Sequence, residues 1–204
     1  MTFPTRVSVG ITGASGACYA LRLLEALVQQ EVEISLVIST AGQLVLATET
    51  DLKFYKNQQK NQLMLAQHFH AKPNQIKMYS KDQWSAPLAS GTGAPKQMVI
   101  CPCTTGCLSA VAHGSSDNLL ERAADVVIKE QGKLILVVRE MPFSVIHLQN
   151  MLSLAQQGVV IMPANPGFYF NPTSLEEIVD FVVAKILDQL GLPQTLSARW
   201  GSED

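Results

Sequence analysis

Five short clusters in this 204-residue chain carry residue types suited to binding an anion and moving a proton. They are Gly13-Ala14-Ser15-Gly16, Ser39-Thr40, Cys103-Thr104-Thr105-Gly106-Cys107, Arg139-Glu140 and Ala164-Asn165-Pro166-Gly167-Phe168-Tyr169. Small residues let backbone amides approach a phosphate at a helix start. Gly10-Ile11-Thr12-Gly13-Ala14-Ser15-Gly16 lacks the dinucleotide glycine spacing. It reads either as an anion-binding turn or as a tight strand-to-helix turn with Ser15 as N-cap. Arg139-Glu140 is either the solvated end of a strand or a ligand clamp, because the planar guanidinium can bond two phosphate oxygens.

Two further groups of charges have a mild alternative. Arg122 and Lys129 are seven positions apart on a predicted helix, with Asp125 between them. That spacing makes either a pair of cations on one face or a solvated, salt-bridged surface. Glu49, in the mild segment 44–50, has the look of an exposed acid. Trp84, Tyr169 and Trp200 are packing or stacking rings. Cys101, Cys103 and Cys107 lack the second pair of ligands that a zinc site needs, and His68 and His70 point to opposite sides of a helix. No metal is expected, and the cysteines read as buried thiols.

The elements that must position these clusters follow from periodicity. Nearly continuous apolar runs at 6–12, 33–39, 97–102, 133–138 and 159–163 are strands buried on both faces of a parallel sheet. Helical patterns cover 15–30, 118–131, 143–157 and 174–190, the last opening with Ser174, Glu176 and Glu177. Strand and helix in alternation predict an α/β fold, a three-layer doubly wound parallel sheet. The five clusters then sit at the carboxyl ends of five strands, where such sheets bind ligands. Residues 51–96 interrupt the rhythm with a polar excursion holding a helix near 60–70 and a short strand at 76–79, of the kind that forms lids and binding loops. Residues 1–204 read as one domain. The segment 191–204 is too short to pack alone, and Leu196 and Trp200 are expected on a neighbouring subunit or over the pocket.

Composition excludes several classes of function. A net charge of −2 offers no electrostatic footprint for nucleic acid or an anionic membrane. No apolar run approaches the roughly 20 residues of a membrane span. The N-terminus lacks the features of a signal peptide, so a cytoplasmic protein is expected. Only 16% of residues are charged, which suggests apolar surface covered by a partner or a ligand.

Taken together and in order, Val9–Ala17, Ser39, Ser90-Gly91-Thr92-Gly93, Cys101–Gly106, Val138–Pro142 and Pro163–Tyr169 resemble the UbiX-type flavin prenyltransferases. The resemblance runs from about residue 6 to residue 200. It implies a flavodoxin-like or Rossmann-like fold that binds reduced FMN. The implied reaction transfers a dimethylallyl group from dimethylallyl monophosphate to N5 and C6 of the flavin. The product would pass to a UbiD-type decarboxylase, in ubiquinone biosynthesis for many bacteria. The resemblance further implies a homododecamer with active sites between subunits and no essential metal.

Residue by residue, it makes Gly13, Ala14, Ser15, Ser39, Thr104, Thr105, Gly106, Cys107 and Arg139 the FMN contacts. Arg122, Lys129, Tyr169 and Lys185 become the prenyl-phosphate contacts, and Trp84 and Ser90 the substrate-pocket loop. Ser15, Glu49, Lys129 and Glu140 become the catalytic set for proton transfer and phosphate handling. Position 185 is often Arg in that family, and Lys185 keeps the charge while losing the fork. An FMN-dependent decarboxylase of the cysteine-decarboxylase group and a non-catalytic flavin carrier are the rival readings. The first would be expected to carry an early catalytic His, and no His precedes His68. A plain carrier has no need of Arg122, Lys129 and Glu140 together.

Overall fold

The computed structural model describes residues 3–197. Six strands form one sheet: β1 (Arg6–Ile11), β2 (Glu33–Ile38), β3 (Ile76–Tyr79), β4 (Gln97–Cys103), β5 (Lys133–Val138) and β6 (Val160–Ile161). Their order is β3-β2-β1-β4-β5-β6 and every neighbouring pair is parallel. This is the Rossmann order, with the direction of winding reversing between β1 and β4. The four central strands are buried from their second residue onward, which explains their unbroken apolar runs. The edge strand β3 alternates between buried and half-buried positions.

Among the described residues seven α-helices cover the sheet: α1 (Ala17–Gln29), α2 (Thr40–Glu49), α3 (Gln58–His68), α4 (Thr105–Ala112), α5 (Leu119–Lys129), α6 (Val145–Gln156) and α7 (Leu175–Leu190). Alternation along the strands sorts them into two cores, with a register shift between Ile100 and Cys103 turning Cys103 to the face opposite Cys101. Val7, Val9, Ile11, Val99, Cys101, Ile135 and Val137 pack with α1 and α7 on one face. Met98, Ile100, Cys103, Leu134, Leu136 and Val138 pack with α4, α5 and α6 on the other. A helix on α1's face therefore cannot reach residues on α5's face through the sheet.

Two helices were not anticipated. Ser39-Thr40 and Cys103–Cys107 stand at strand ends as expected, but the segments that follow carry no helical pattern in the sequence and still form α2 and α4. Both are short and rich in Ala, Gly and Thr, with no polar face opposite an apolar stripe, so they lack the amphipathic signal. The excursion 51–96 holds α3, β3 and a short 3₁₀ turn at Pro87–Ala89. Beyond α7, Leu192 and Leu196, both partly buried, pack against the chain's own α1–α7 core. Trp200 lies outside the described residues. Among the described residues no helix is long and apolar enough to cross a membrane.

Candidate functional site

Side-chain caps place the strand ends. Ser39 Oγ accepts from the Gly42 amide at 3.0 Å and opens α2. Thr104 Oγ1 accepts from the Cys107 amide at 3.1 Å and opens α4. Each cap engages the third amide of its helix, leaving the first two for a ligand anion. Ala41 and Gly106, at those free positions, line a cleft of about 250 Å³ with Thr12, Gly13, Ser39, Thr104 and Cys107. Asn118 and Glu121, from the start of α5, close its far side. The cleft sits at the β1/β4 switch point.

Thr12 secures that switch point. Its hydroxyl donates to the Pro102 carbonyl at 2.7 Å and accepts from the Thr104 amide at 2.8 Å. Sequence reasoning passed over Thr12 and Asn118, although both carried signals. Thr12 sits inside the first glycine turn. Asn118 precedes Glu121 by three residues in the manner of a helix start, and its Oδ1 accepts from the Leu120 and Glu121 amides at 3.0 and 3.1 Å.

The first turn departs from expectation. The N-cap of α1 is Gly16, at φ 117°, a left-handed conformation that suits glycine, and no side chain of its own turn caps it. Glu49, from the last turn of α2, takes that place: its Oε2 accepts from the amides of Gly16 at 2.9 Å and Ala17 at 2.8 Å. Ser15 is thus not the N-cap, and these two amides are engaged by a resident carboxylate rather than held open for a phosphate. Gly13 packs so tightly on α2 that a Cβ there would lie 2.5 Å from the Ala41 methyl. Ala14 is buried beside it.

Charges converge at the same rim. Arg139 Nε donates to the Ser15 carbonyl at 3.0 Å. Burial alone would push the Glu49 carboxyl up. Hydrogen bonds from the Ser15 hydroxyl and the Ala17 and Gly16 amides, with the Arg139 charge, outweigh it and hold the pKa below the ordinary value. Glu140 accepts from the Thr105 hydroxyl at 3.4 Å and from the Met141 amide at 3.1 Å. The Cys103 thiol is pushed well up, by its contact with the Cys107 thiol and then by burial, so it stays protonated at neutral pH.

The sequence-predicted residues thus fall into three places. Gly13, Ala14, Ser15, Ser39, Glu49, Thr104, Thr105, Gly106, Cys107, Arg139 and Glu140 gather at the cleft and its rim. Arg122 and Lys129 lie on α5, where Arg122 Nη1 pairs with Asp125 at 2.6 Å and Lys129 pairs with Glu130. Trp84, half exposed, and Ser90, bonded to the Thr92 hydroxyl, belong to the loop resting on α5. Tyr169 and Lys185 belong to α7's face. The Tyr169 ring meets Phe181 edge-on at 5.8 Å between centroids, and Lys185 Nζ sits 5.8 Å from the same Phe181 ring. Arg122 and Lys129 are therefore separated from Tyr169 and Lys185 by the sheet. A cavity of about 760 Å³ between α1, the end of α3 and the start of α7 contains none of the predicted residues. Among the described residues no three His, Cys, Asp or Glu side chains converge as metal ligands would.

The chain matches the Flavoprotein family over residues 2–187. A flavin prenyltransferase UbiX of Pseudomonas aeruginosa is 54% identical over 203 residues, covering 100% of this chain and 97% of the relative. Among solved structures, AnUbiX (PadA1) in complex with FMN and dimethylallyl pyrophosphate superposes with a TM-score of 0.86 at 34% identity, covering 98% of this chain and 99% of that one. A dodecameric FMN-dependent Ubix-like decarboxylase from Escherichia coli O157:H7 gives a TM-score of 0.86 at 37% identity, covering 97% and 100%.

Proposed function

This chain belongs to the flavoprotein family, as a UbiX-type flavin prenyltransferase, and on that premise we propose that it joins a dimethylallyl group from dimethylallyl monophosphate to N5 and then C6 of reduced FMN. The flavin supplies the nucleophilic centres. The free amides at the starts of α2 and α4, the open position at Gly106 and the small residues of the first turn suit its phosphate and ring.

The observation that carries the reading is the Arg139–Ser15–Glu49 rim, which sets a cation, a hydroxyl and an ionised carboxylate together beside Glu140. Glu140 accepts the proton shed when the fourth ring closes at C6. Glu49, ionised at rest, takes up the proton that N5 sheds on alkylation and passes it through the Ser15 hydroxyl to the departing phosphate. Arg122, Lys129, Tyr169 and Lys185 stabilise the negative charge that grows on that phosphate as the allylic C–O bond breaks. The Trp84 face stabilises the allylic cation by about 1–2 kcal/mol when water is excluded.

Placement of those four phosphate contacts on opposite faces supports a site completed by a second copy of the chain. The small volume of the cleft supports the same reading, since about 250 Å³ lies below the roughly 300 Å³ at which ligand pockets begin. Met141, ahead of α6 and next to Glu140, and Val145, Ile146, Leu148 and Leu152 on α6 are exposed apolar residues, and we assign them to contact between copies in a homo-oligomer. The dodecameric relative supports that assembly. The free thiols Cys18, Cys101, Cys103 and Cys107 suit a reducing, cytoplasmic setting. The prenylated flavin is destined for a UbiD-type decarboxylase, in ubiquinone biosynthesis, a step supported by the sequence resemblance.

Anaerobic incubation with reduced FMN and dimethylallyl monophosphate, followed by mass spectrometry of the flavin, tests the reading. A gain of one five-carbon unit is expected. A flavin of unchanged mass under every condition overturns the reading.

A further inference from the structure

Arg122 differs from an ordinary solvated helix arginine in having two fixed contacts from two directions. Its Nη1 donates to Asp125 Oδ2 at 2.6 Å, three residues along α5, with both side chains about two-thirds buried (32% and 33% exposed). Its Nε donates to the Ala89 carbonyl at 3.2 Å. That carbonyl is itself held in place. Ala86 and Leu88 are buried in the core beneath α5, and the Leu119 amide donates to the Lys81 carbonyl at 2.7 Å, stapling the loop to the start of the helix. Among the described residues Nη2 has no hydrogen bond.

A guanidinium held at Nε and Nη1 has its plane fixed, and Nη2, with both N–H groups unengaged, is the nitrogen left open to an anion. A flexible arginine would lose side-chain entropy on binding phosphate, and an arginine already fixed loses little. Asp125 also lowers the local positive charge, so it opposes phosphate binding electrostatically while favouring it by orientation. At partial exposure the charge effect is screened by water, whereas the orienting effect does not depend on charge over distance. Orientation is then the larger of the two.

We propose that Asp125 is a positioning residue for the prenyl phosphate: with the Ala89 carbonyl it fixes the Arg122 guanidinium so that Nη2 is presented to the phosphate oxygens. This rests on the assignment of Arg122 as a phosphate contact in the function proposed above.

The test is steady-state prenylation of reduced FMN by D125N, D125A and the double variant R122A/D125A. D125A raises KM for dimethylallyl monophosphate roughly five- to tenfold, the size expected for one charge-assisted hydrogen bond at a partly exposed site. D125N, which keeps an acceptor oxygen, raises it less. In both, kcat, FMN affinity and the melting temperature stay close to wild type, a split that general loss of structure would not produce. In the R122A background, removing Asp125 raises KM no further. An unchanged or lowered KM in D125A and D125N, or an additive effect in the double variant, overturns the role of Asp125 alone. A wild-type protein that forms no prenylated flavin overturns the function proposed above and this role with it.

Discussion

Arg139 and Ser15 are 124 positions apart in the chain, yet Arg139 Nε lies 3.0 Å from the Ser15 carbonyl oxygen. The contact joins the carboxyl end of β5 to the turn after β1, across the intervening strand β4. It brings the guanidinium to a carboxylate that already holds the start of α1. The consequences of that grouping can be measured.

Glu49 makes stability depend on pH at the acid end. Its folded pKa lies below its ordinary value of 4.5, so the stabilisation is fully present above that value and is lost as pH falls through the folded pKa. Glu49→Gln is therefore less stable than wild type at neutral pH, and the two converge in acid. Because Glu49 is exposed, the difference at pH 7 is under about 1 kcal/mol and shrinks with salt. Thermal melts from pH 7 down to the acid limit check both the sign and the convergence.

Glu140→Gln separates binding from turnover. The amide keeps an oxygen for the Met141 amide and can turn its NH2 to the Thr105 hydroxyl, which accepts, but it cannot take up a proton as a carboxylate does. FMN affinity stays near wild type, while kcat for the doubly joined product falls by about 100-fold or more. Flavin fluorescence titration and single-turnover mass analysis read the two quantities separately. Full activity in the variant would remove Glu140 from the chemistry.

Arg122→Ala and Lys185→Ala complement each other. The two residues lie on helices covering opposite faces of the sheet. If a phosphate site draws on two copies, each variant alone has crippled sites. Co-assembled subunits of the two variants then contain some sites with both cations intact. Mixed assemblies, formed by co-expression with distinct tags and purified on both, are expected to recover a measurable share of wild-type activity. Activity no higher than that of the two variants assayed separately would place both residues in one chain's site.

Gly13→Ala disturbs the turn against α2. The added methyl would meet the Ala41 methyl at 2.5 Å, and both sit on backbone that cannot swing aside like a long side chain. A loss of about 1–3 kcal/mol in stability is expected, with weaker FMN binding because Ala41 lines the cleft. Pairing the change with Ala41→Gly restores the space and should recover most of both losses.

The sheet was legible because its central strands are buried on both faces, so their apolar runs have no competing interpretation. The positions of Ser39, Thr104, Arg139 and Glu140 at strand ends followed from the same runs. Helices α2 and α4 were not legible, since small residues on every side leave no stripe to detect. Nor could sequence show that Glu49 caps α1, because the interaction joins residues 33 positions apart and leaves no local pattern. For that reason the turn at Ser15 reads from sequence as an anion-binding turn or a self-capped one, and the distant carboxylate is not among the options. The separation of Arg122 from Lys185 depends on which face each helix covers, and only strand order and packing decide that.

Thr12 gives the cleft one rigid side. Its hydroxyl spends its donor on the Pro102 carbonyl and accepts the Thr104 amide, so it clamps β1 to β4. A second side is α2, which meets the first turn through the Glu49 carboxylate and the Ala41 methyl, and the start of α5 closes the third. Adaptation to a bulkier ring therefore comes from displacement of these helix starts rather than from spreading of the strands. Substitutions that tune ring size belong on α2 and the start of α5, whereas changes at Thr12 would alter the aperture for every ligand alike.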